Sequence, residues 1–171
     1  LKSDTTYDQT HRTTDSLWVG YNLDKARHHL QLNARTDKLT KIGRENSGSI
    51  NYGFDVTDNV KVFAGYSNGY SAPDFAQLYY PNYSNPNLKT EHNTYVQAGA
   101  QYATDAFGGR VTLFETHSRD KISGLVNINR AKAKGVEWHG WYNVNGWNFD
   151  TSLTYQEVKN RATGVRLIRQ P

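Results

Sequence analysis

Apolar and polar positions alternate along most of this 171-residue chain. A hydrophobic period of two is typical of β-strands, because successive side chains of a strand point to opposite faces of the sheet. No stretch of the chain shows a comparable helical period. The alternation predicts about eight strands, at residues 16–23, 28–36, 48–56, 59–70, 93–103, 110–122, 134–144 and 147–160.

The predicted connections between these strands alternate between short and long. The short ones are 24–27, 57–59, 104–109 and 145–146, and the long polar ones are 36–47, 71–93, 123–134 and 161–171. This alternation is typical of bacterial membrane barrels, which have tight periplasmic turns and longer external loops. The predicted fold class is therefore all-β, as part of a transmembrane antiparallel β-barrel whose odd-numbered strands run inward.

A soluble β-sandwich would also contain about eight alternating strands. Two features favour the membrane barrel. The polar positions are rich in Asn, Gln, Thr, Gly and Ser, as suits a wet lumen, rather than in Lys and Glu. Aromatic residues also lie towards the strand ends, at Tyr66, Tyr102, Tyr142 and Tyr155.

The strand predicted at 110–122 changes character along its length. Val111 and Leu113 share a face with Glu115 and His117. A charged side chain that faces lipid is costly. We therefore expect this strand to leave the membrane before it ends.

The composition agrees with a barrel and excludes several other classes. The chain has 12 Tyr and 4 Trp beside a mean hydropathy of −0.80, as expected when only alternate residues meet lipid. Without Cys, no disulfide or thiolate metal site can form. No apolar run is long enough for a transmembrane helix, and no signal peptide is apparent. The net charge of +4 is spread over 20 basic and 16 acidic residues without a basic stripe, which argues against a nucleic-acid partner.

Several segments resemble the barrel of TonB-dependent outer-membrane receptors. They are Tyr-Ser-Ala-Pro at 70–73, Asn-Pro-Asn-Leu-Lys-Thr-Glu at 85–91 and Lys-Ala-Lys-Gly-Val-Glu at 132–137. The resemblance covers nearly the whole chain, most clearly after Ala64, and is closest to the cobalamin (vitamin B12) branch. One departure is Thr90, where the family commonly has Pro. The resemblance implies that 1–171 is part of a barrel of about 22 strands. The plug domain and the C-terminal strands would lie outside it, so we expect a piece of a longer protein.

The resemblance also implies a location, an activity and partners. The expected location is the bacterial outer membrane, and the expected activity is uptake of cobalamin coupled to TonB through a plug domain. Outer-membrane lipid and lipopolysaccharide are expected neighbours, and no cofactor and no enzymatic role are expected. Two alternatives stay open, namely a haem or ferric-siderophore receptor and a small barrel that acts as an adhesin or structural anchor.

The long aromatic connection at 71–93 is the predicted ligand-contact loop. Aromatic side chains offer a large, rigid contact area with a polar tip, which suits a bulky, partly apolar ligand. The alternative is that the same rings pack on neighbouring parts of the protein. The candidate contact residues are Phe75, Leu78, Tyr79, Tyr80, Tyr83 and Asn85.

Histidines are the other candidate ligand contacts. His92, His117 and His139 are candidates for haem ligation or for ordinary polar lumen contacts. His28 and His29 are adjacent, so on a strand they face opposite sides and cannot chelate together. No metal site, paired carboxylates or nucleophile elbow is recognisable.

Basic residues surround the third predicted external loop. An ordinary solvated loop is the favoured interpretation, because exposed charges need little explanation. Attraction of an anionic siderophore or of the phosphates of lipopolysaccharide is the alternative. The residues are Arg119, Lys121, Arg130, Lys132 and Lys134.

Overall fold

The described part of the chain forms one antiparallel sheet with one short helix. The computed structural model describes residues 11–160. Its elements are β1 (Thr14–Lys25), β2 (His28–Leu39), β3 (Gly43–Asp55), β4 (Val60–Ser71), α1 (Phe75–Tyr79), β5 (Glu91–Ala103), β6 (Phe107–Ser123), β7 (Val126–Val144) and β8 (Trp147–Asn160). Within residues 11–160, no helix is both long and apolar enough to cross a membrane.

The eight strands pair in chain order, each antiparallel to the next. The predicted strands, their number and their all-β class are therefore confirmed. β1 and β8 are the two edges of the sheet, so the barrel is not closed by these strands. A small closed eight-stranded barrel would require β1 to pair with β8, and this pairing is not among the described ones.

Two of the predicted long connections are wrong. In place of the connection predicted at 36–47, β2 and β3 are joined by residues 40–42 only. In place of the one predicted at 123–134, β6 and β7 are joined by residues 124–125. The basic residues placed around the third external loop therefore lie on strands. The physical reason is that a strand beyond the membrane no longer has one face against lipid, so its apolar–polar alternation is lost while its backbone stays paired. The prediction at 161–171 lies outside the described residues.

The predicted connection at 71–93 is confirmed as a long loop, at residues 72–90. It contains the helix α1, which the strand pattern does not reveal. The short turn at 145–146 is also confirmed. Asn145 and Gly146 have φ values of 48° and 81°, as required by the tight hairpin turn that an Asn-Gly pair favours.

One face of the sheet is apolar and exposed, and we call it the apolar face. Cross-strand pairing joins its residues into continuous rows, such as Ala100, Val111, Trp138 and Leu153. Its members are Leu17, Val19, Tyr21, Leu23, Leu30, Leu32, Ile50, Tyr52, Val62, Ala64, Tyr66, Val96, Ala98, Ala100, Tyr102, Val111, Leu113, Val136, Trp138, Tyr142, Phe149, Leu153 and Tyr155.

Aromatic rings border the apolar face at both ends. Tyr66 and Tyr155 lie near the end that carries loop 72–90, which we call the long-loop end. Tyr102 and Tyr142 lie near the opposite, short-turn end, and the Tyr102 ring centroid is 5.7 Å from that of Phe107. Paired aromatic girdles are the interfacial signature of outer-membrane barrels. Tyr102 and Tyr142 lie within two residues of a strand end, as predicted, whereas Tyr66 and Tyr155 lie five residues inside theirs.

The opposite face, which we call the polar face, carries amides, hydroxyls and a few charges. Some rings on it are in contact with neighbours: the Arg110 guanidinium lies 3.9 Å from the centroid of Phe63, and Phe114 stacks on Tyr95 at 6.1 Å. In strand β6, Val111 and Leu113 face the apolar side together with Glu115, as predicted.

Candidate ligand-contact surface at the long-loop end

Loop 72–90 folds back onto the β6–β7 hairpin. Gln77 caps the start of α1, since its Oε1 accepts a hydrogen bond from Asp74 N at 2.8 Å. The same side chain donates from Nε2 to the carbonyl of Gly124 at 3.0 Å. Asn85 Nδ2 donates to the carbonyl of Leu125 at 2.8 Å. Two amide side chains of the loop therefore form hydrogen bonds with the turn that joins β6 and β7.

A second clamp holds the end of the loop. Asn127 Oδ1 accepts from Lys89 N at 2.9 Å, and Asn127 Nδ2 donates to the carbonyls of Lys89 at 3.0 Å and Asp120 at 2.6 Å. Glu91 Oε2 accepts from Ile122 N at 3.0 Å. Hydrogen bonds at Gln77, Asn85 and Lys89 therefore attach the loop to β7 and to the turn that joins it to β6.

The six predicted contact residues share this loop but differ in exposure. Leu78 is 7% exposed and packs inward, and the amide of Asn85 is engaged by Leu125. The remaining four are rings: Phe75 and Tyr79 are half-buried with centroids 5.0 Å apart, whereas Tyr80 and Tyr83 are 42% and 72% exposed. The prediction of ligand contact remains a prediction, and Tyr80 and Tyr83 are the most exposed of the four rings.

A buried polar cluster stabilises the neighbouring hairpin at this end. Asp37 is only 2% exposed, and both of its oxygens accept from Arg35 Nε, at 2.8 and 2.9 Å. Tyr70 donates its hydroxyl to Asp37 at 2.8 Å, and Arg35 also donates to Ser16. These hydrogen bonds, first of all that from Arg35, hold the pKa of the Asp37 carboxyl well below its usual value. Asp37 lies beyond the apolar face and stays ionised.

This cluster joins opposite sides of the sheet. Tyr70 belongs by alternation to the side of Tyr66, on the apolar face, whereas Asp37 belongs to the polar face of β2. In a flat sheet these side chains would point away from each other. The β3–β4 ladder ends at Gly48 and Asn68 although both strands continue. Beyond that point the tip of the β2–β3 hairpin crosses over, and its polar side packs on β4.

The three candidate histidines do not converge on one site. His92 Nε2 lies 2.8 Å from Glu45 Oε2 beside the crossed hairpin, and His117 pairs with Glu115 on the apolar side of β6. His139 Nε2 lies 2.8 Å from Asp150 Oδ2 on the polar face. Within residues 11–160, no three His, Asp or Glu side chains are grouped so as to hold a metal ion.

The adjacent histidines confirm the prediction that they face opposite sides. His28 Nδ1 lies 2.6 Å from the hydroxyl of Tyr52 on the apolar side. His29 lies on the polar face, with Nδ1 2.6 Å from Asp24 and Nε2 2.7 Å from Asp55. Lys61 completes this cluster at 3.4 Å from Asp55. Sequence reasoning missed the cluster, although the short turn at 24–27 already placed Asp24 opposite His29.

Comparison with known proteins identifies the family. The chain matches the family described as "TonB dependent receptor-like, beta-barrel" over residues 2–171. It is 24% identical over 149 residues to the vitamin B12 transporter BtuB of Photobacterium profundum, covering 80% of this chain and 25% of that protein. It is 22% identical over 176 residues to BtuB of Vibrio vulnificus, covering 97% of this chain and 29% of that protein.

Solved structures show the same fold. The siderophore receptor PirA from Pseudomonas aeruginosa superposes with a TM-score of 0.78 at 23% identity, over 86% of this chain and 32% of PirA. A mutant of the ferric enterobactin receptor PfeA from the same organism, in complex with enterobactin, gives 0.77 at 22% identity, over 90% and 28%. The chain spans about a third or less of the length of these relatives. The chain therefore belongs to the family of TonB-dependent receptor β-barrels, which are transport receptors of the bacterial outer membrane.

Proposed function

We propose that this chain forms part of the wall and the ligand-facing surface of a receptor that captures cobalamin outside the cell. Two observations support the proposal. The matched vitamin B12 transporters align with 80% and 97% of the chain. Loop 72–90 is the one long connection among the described residues, and it presents the exposed rings of Tyr80 and Tyr83.

The anchoring of loop 72–90 suits ligand capture. A loop held at Gly124, Leu125 and Asn127 loses little conformational entropy when a ligand binds. Tyrosine rings add apolar contact area and a hydroxyl at low entropic cost. A corrinoid, which has a broad partly apolar face fringed with amides, matches this chemistry.

The energy for uptake would come from outside this chain. In the proposal, TonB acts through a plug domain inside the completed barrel, and residues 11–160 supply wall and loop. The polar face, with the cluster of Asp24, His29, Asp55 and Lys61, would line the lumen in which such a plug sits.

A ferric-siderophore receptor is the second candidate, because solved siderophore receptors share this fold with TM-scores of 0.78 and 0.77. Haem is the third ligand to test. His92, His117 and His139 are exposed enough to reach a ligand, but they lie in three separate places, so any one of them would have to act alone.

The test is equilibrium binding of cyanocobalamin to the full-length receptor in detergent, with a ferric siderophore and haem as competitors. Tyr83→Ala is expected to weaken binding about tenfold, the effect of losing one exposed aromatic anchor. Tyr155→Ala is the matched control, since its ring is 67% exposed on the apolar face against 72% for Tyr83.

Each result assigns the ligand or the site. Tight cobalamin binding that Tyr83→Ala weakens and Tyr155→Ala leaves alone supports both the ligand and the loop. Tight binding that neither variant changes keeps the ligand and removes the loop assignment. Binding of the siderophore or of haem without cobalamin would overturn the proposed ligand; loss of haem binding on replacing one of the three histidines would then name the haem ligand.

A further inference from the structure

On β6, β7 and β8, the side of the sheet that carries the apolar face becomes charged towards the long-loop end. The change occurs between one row of outward residues and the next. Cross-strand pairing arranges its outward residues in rows. Going outward, the rows are Leu113, Val136 and Tyr155; Glu115, Lys134 and Glu157; His117, Lys132 and Lys159; and Arg119 with Arg130. We call the last three the cationic rows. They hold five Lys or Arg side chains against two Glu.

The cationic rows place like charges directly opposite each other. Arg119 pairs with Arg130 across the β6–β7 ladder, and both are exposed. Lys132 pairs with Lys159 across the next ladder. Like charges at directly opposed positions destabilise a sheet, so this arrangement favours a bound anion.

The carboxylates of the cationic rows neutralise only part of this charge. Lys132 Nζ lies 2.7 Å from Glu115, and Lys159 Nζ lies 3.1 Å from Glu157. In the part of the chain that the structure describes, the ion pairs include none with Arg119, Arg130 or Lys134. The opposed arginines are therefore the most poorly compensated charges of the surface.

The position of the rows identifies the kind of anion. A strand rises about 3.3 Å per residue, so at a tilt of about 40° Glu115 lies about 5 Å and Arg119 about 15 Å above Leu113. The cationic rows therefore lie just outside the apolar face, where the headgroups of the lipids begin. Because the rows continue the lipid-facing side, their neighbour is a lipid of the outer leaflet rather than a ligand in the lumen.

We propose that the cationic rows bind the phosphate groups of lipopolysaccharide, with Arg119 and Arg130 sharing one phosphate between two guanidinium groups. Guanidinium and phosphate match in geometry and form short, charge-assisted hydrogen bonds. A lipid with several phosphates on one headgroup can pair with several cations at once, whereas a singly charged phospholipid cannot. The proposal depends on the orientation of the barrel and not on which nutrient the receptor carries.

The test compares lipopolysaccharide binding by delipidated full-length receptor and by its Arg119→Gln/Arg130→Gln variant in a nonionic detergent. The variant is expected to bind about tenfold more weakly, since it loses charge-assisted phosphate contacts. Dephosphorylated lipopolysaccharide should bind the unaltered receptor as weakly. Lys61→Gln/Arg110→Gln is the matched control, because it removes the same charge from the polar face and should leave binding unchanged.

Three results would overturn the proposal: equal binding by the arginine variant, an equal loss in the control variant, or displacement of lipopolysaccharide by matched inorganic phosphate or phosphatidylglycerol. The β-sheet circular-dichroism spectrum of each variant shows that it is folded, and cyanocobalamin binding, measured in parallel, reports the proposed function separately. Lys134→Gln gives a second, milder variant, for which a loss of about threefold is expected. Without lipid, the arginine variant should melt no lower than the unaltered receptor, because the opposed charges are gone.

Discussion

On the apolar face, Val111, Trp138 and Leu153 are 44%, 40% and 65% exposed in the isolated sheet. At the long-loop end the reverse holds, since Asp37 and Leu78 are 2% and 7% exposed. Leu39, Pro73, Leu88 and Ala131 are buried there as well. The small core of this chain therefore lies at one end of the sheet and not beneath it.

The difference shows which surroundings complete each region. The apolar face presents a flat array of large side chains, and lipid supplies the contacts that a second layer of protein would otherwise provide. The long-loop end lies in water and is stabilised by contacts within the protein. These are hydrogen bonds from side-chain amides to backbone groups and those of one buried carboxylate. We therefore expect a polar substitution anywhere on the apolar face to destabilise the protein. At the long-loop end, we expect only the loss of a few specific hydrogen-bonding atoms to do so.

The largest expected effect is a charge placed on the apolar face. Val111→Arg in the full-length receptor should lower the free energy of unfolding from lipid vesicles by about 2–4 kcal/mol, the cost of Arg near the middle of a bilayer. Thr154→Arg, on the polar face, is the control and should change it little. If both substitutions cost the same, the two faces would not differ in their surroundings, and the membrane assignment of the apolar face would be wrong.

The next effect is the removal of charge from the buried cluster at the long-loop end. Asp37→Asn leaves Arg35 without its anionic partner, so amide exchange across residues 35–47 should speed up by about tenfold or more at pH 7. Asp15→Asn is the control, because Asp15 is exposed on the neighbouring strand. Equal exchange in both variants would show that the crossed hairpin does not depend on Asp37.

The same cluster predicts a pH dependence with a definite sign. The pKa of Asp37 is lower in the folded protein than in the unfolded chain, where it is about 3.9. The stability that Asp37 contributes is therefore fully present above about pH 4 and lost as the pH falls through the lowered pKa. Protection of the hairpin, corrected for intrinsic exchange rates, should be equal at pH 7 and pH 5. A loss of protection between those values would contradict the lowered pKa of Asp37.

The smallest expected effect is local opening of the loop. Asn127→Ala removes hydrogen bonds to both backbone groups of Lys89 and to Asp120, so cleavage within residues 72–90 by added protease should rise about fivefold, or about 1 kcal/mol. Asn87→Ala is the control, since Asn87 is exposed on the same loop. Unchanged cleavage in Asn127→Ala would mean that Gln77 and Asn85 suffice to hold the loop.

The two regions also differ in how far the sequence predicted them. Strand positions were predictable wherever one face meets lipid, as at Val111 and Leu113, because alternation records that difference. Beyond the apolar face, the alternation of apolar and polar residues no longer indicates a strand. The strand ends at 36–39 and 126–134 do not have one face against lipid, so they lose the alternation and resemble loop sequence. Helix α1 is too short to show a helical period.

The candidate site was predicted in outline. The aromatic loop and its six residues were predictable from composition, but their division into Leu78, packed inward, and Tyr83, exposed, was not. That division depends on where Gln77 and Asn85 meet the β6–β7 turn, a contact between segments about 40 or more residues apart. The contact of Asp37 with Tyr70 depends on the β3–β4 ladder ending at Gly48, which alternation alone does not predict.

By itself, the sequence determined the eight strands, their antiparallel order and the face that meets lipid, since each follows from local alternation and short turns. Only the tertiary structure decided the crossed hairpin, the fold of loop 72–90 and the opposition of Arg119 to Arg130. The physical reason is range. Alternation is a local property, because each residue faces either lipid or water. The other features depend on pairing register and on hydrogen bonds between distant segments, which exist only once the sheet has formed.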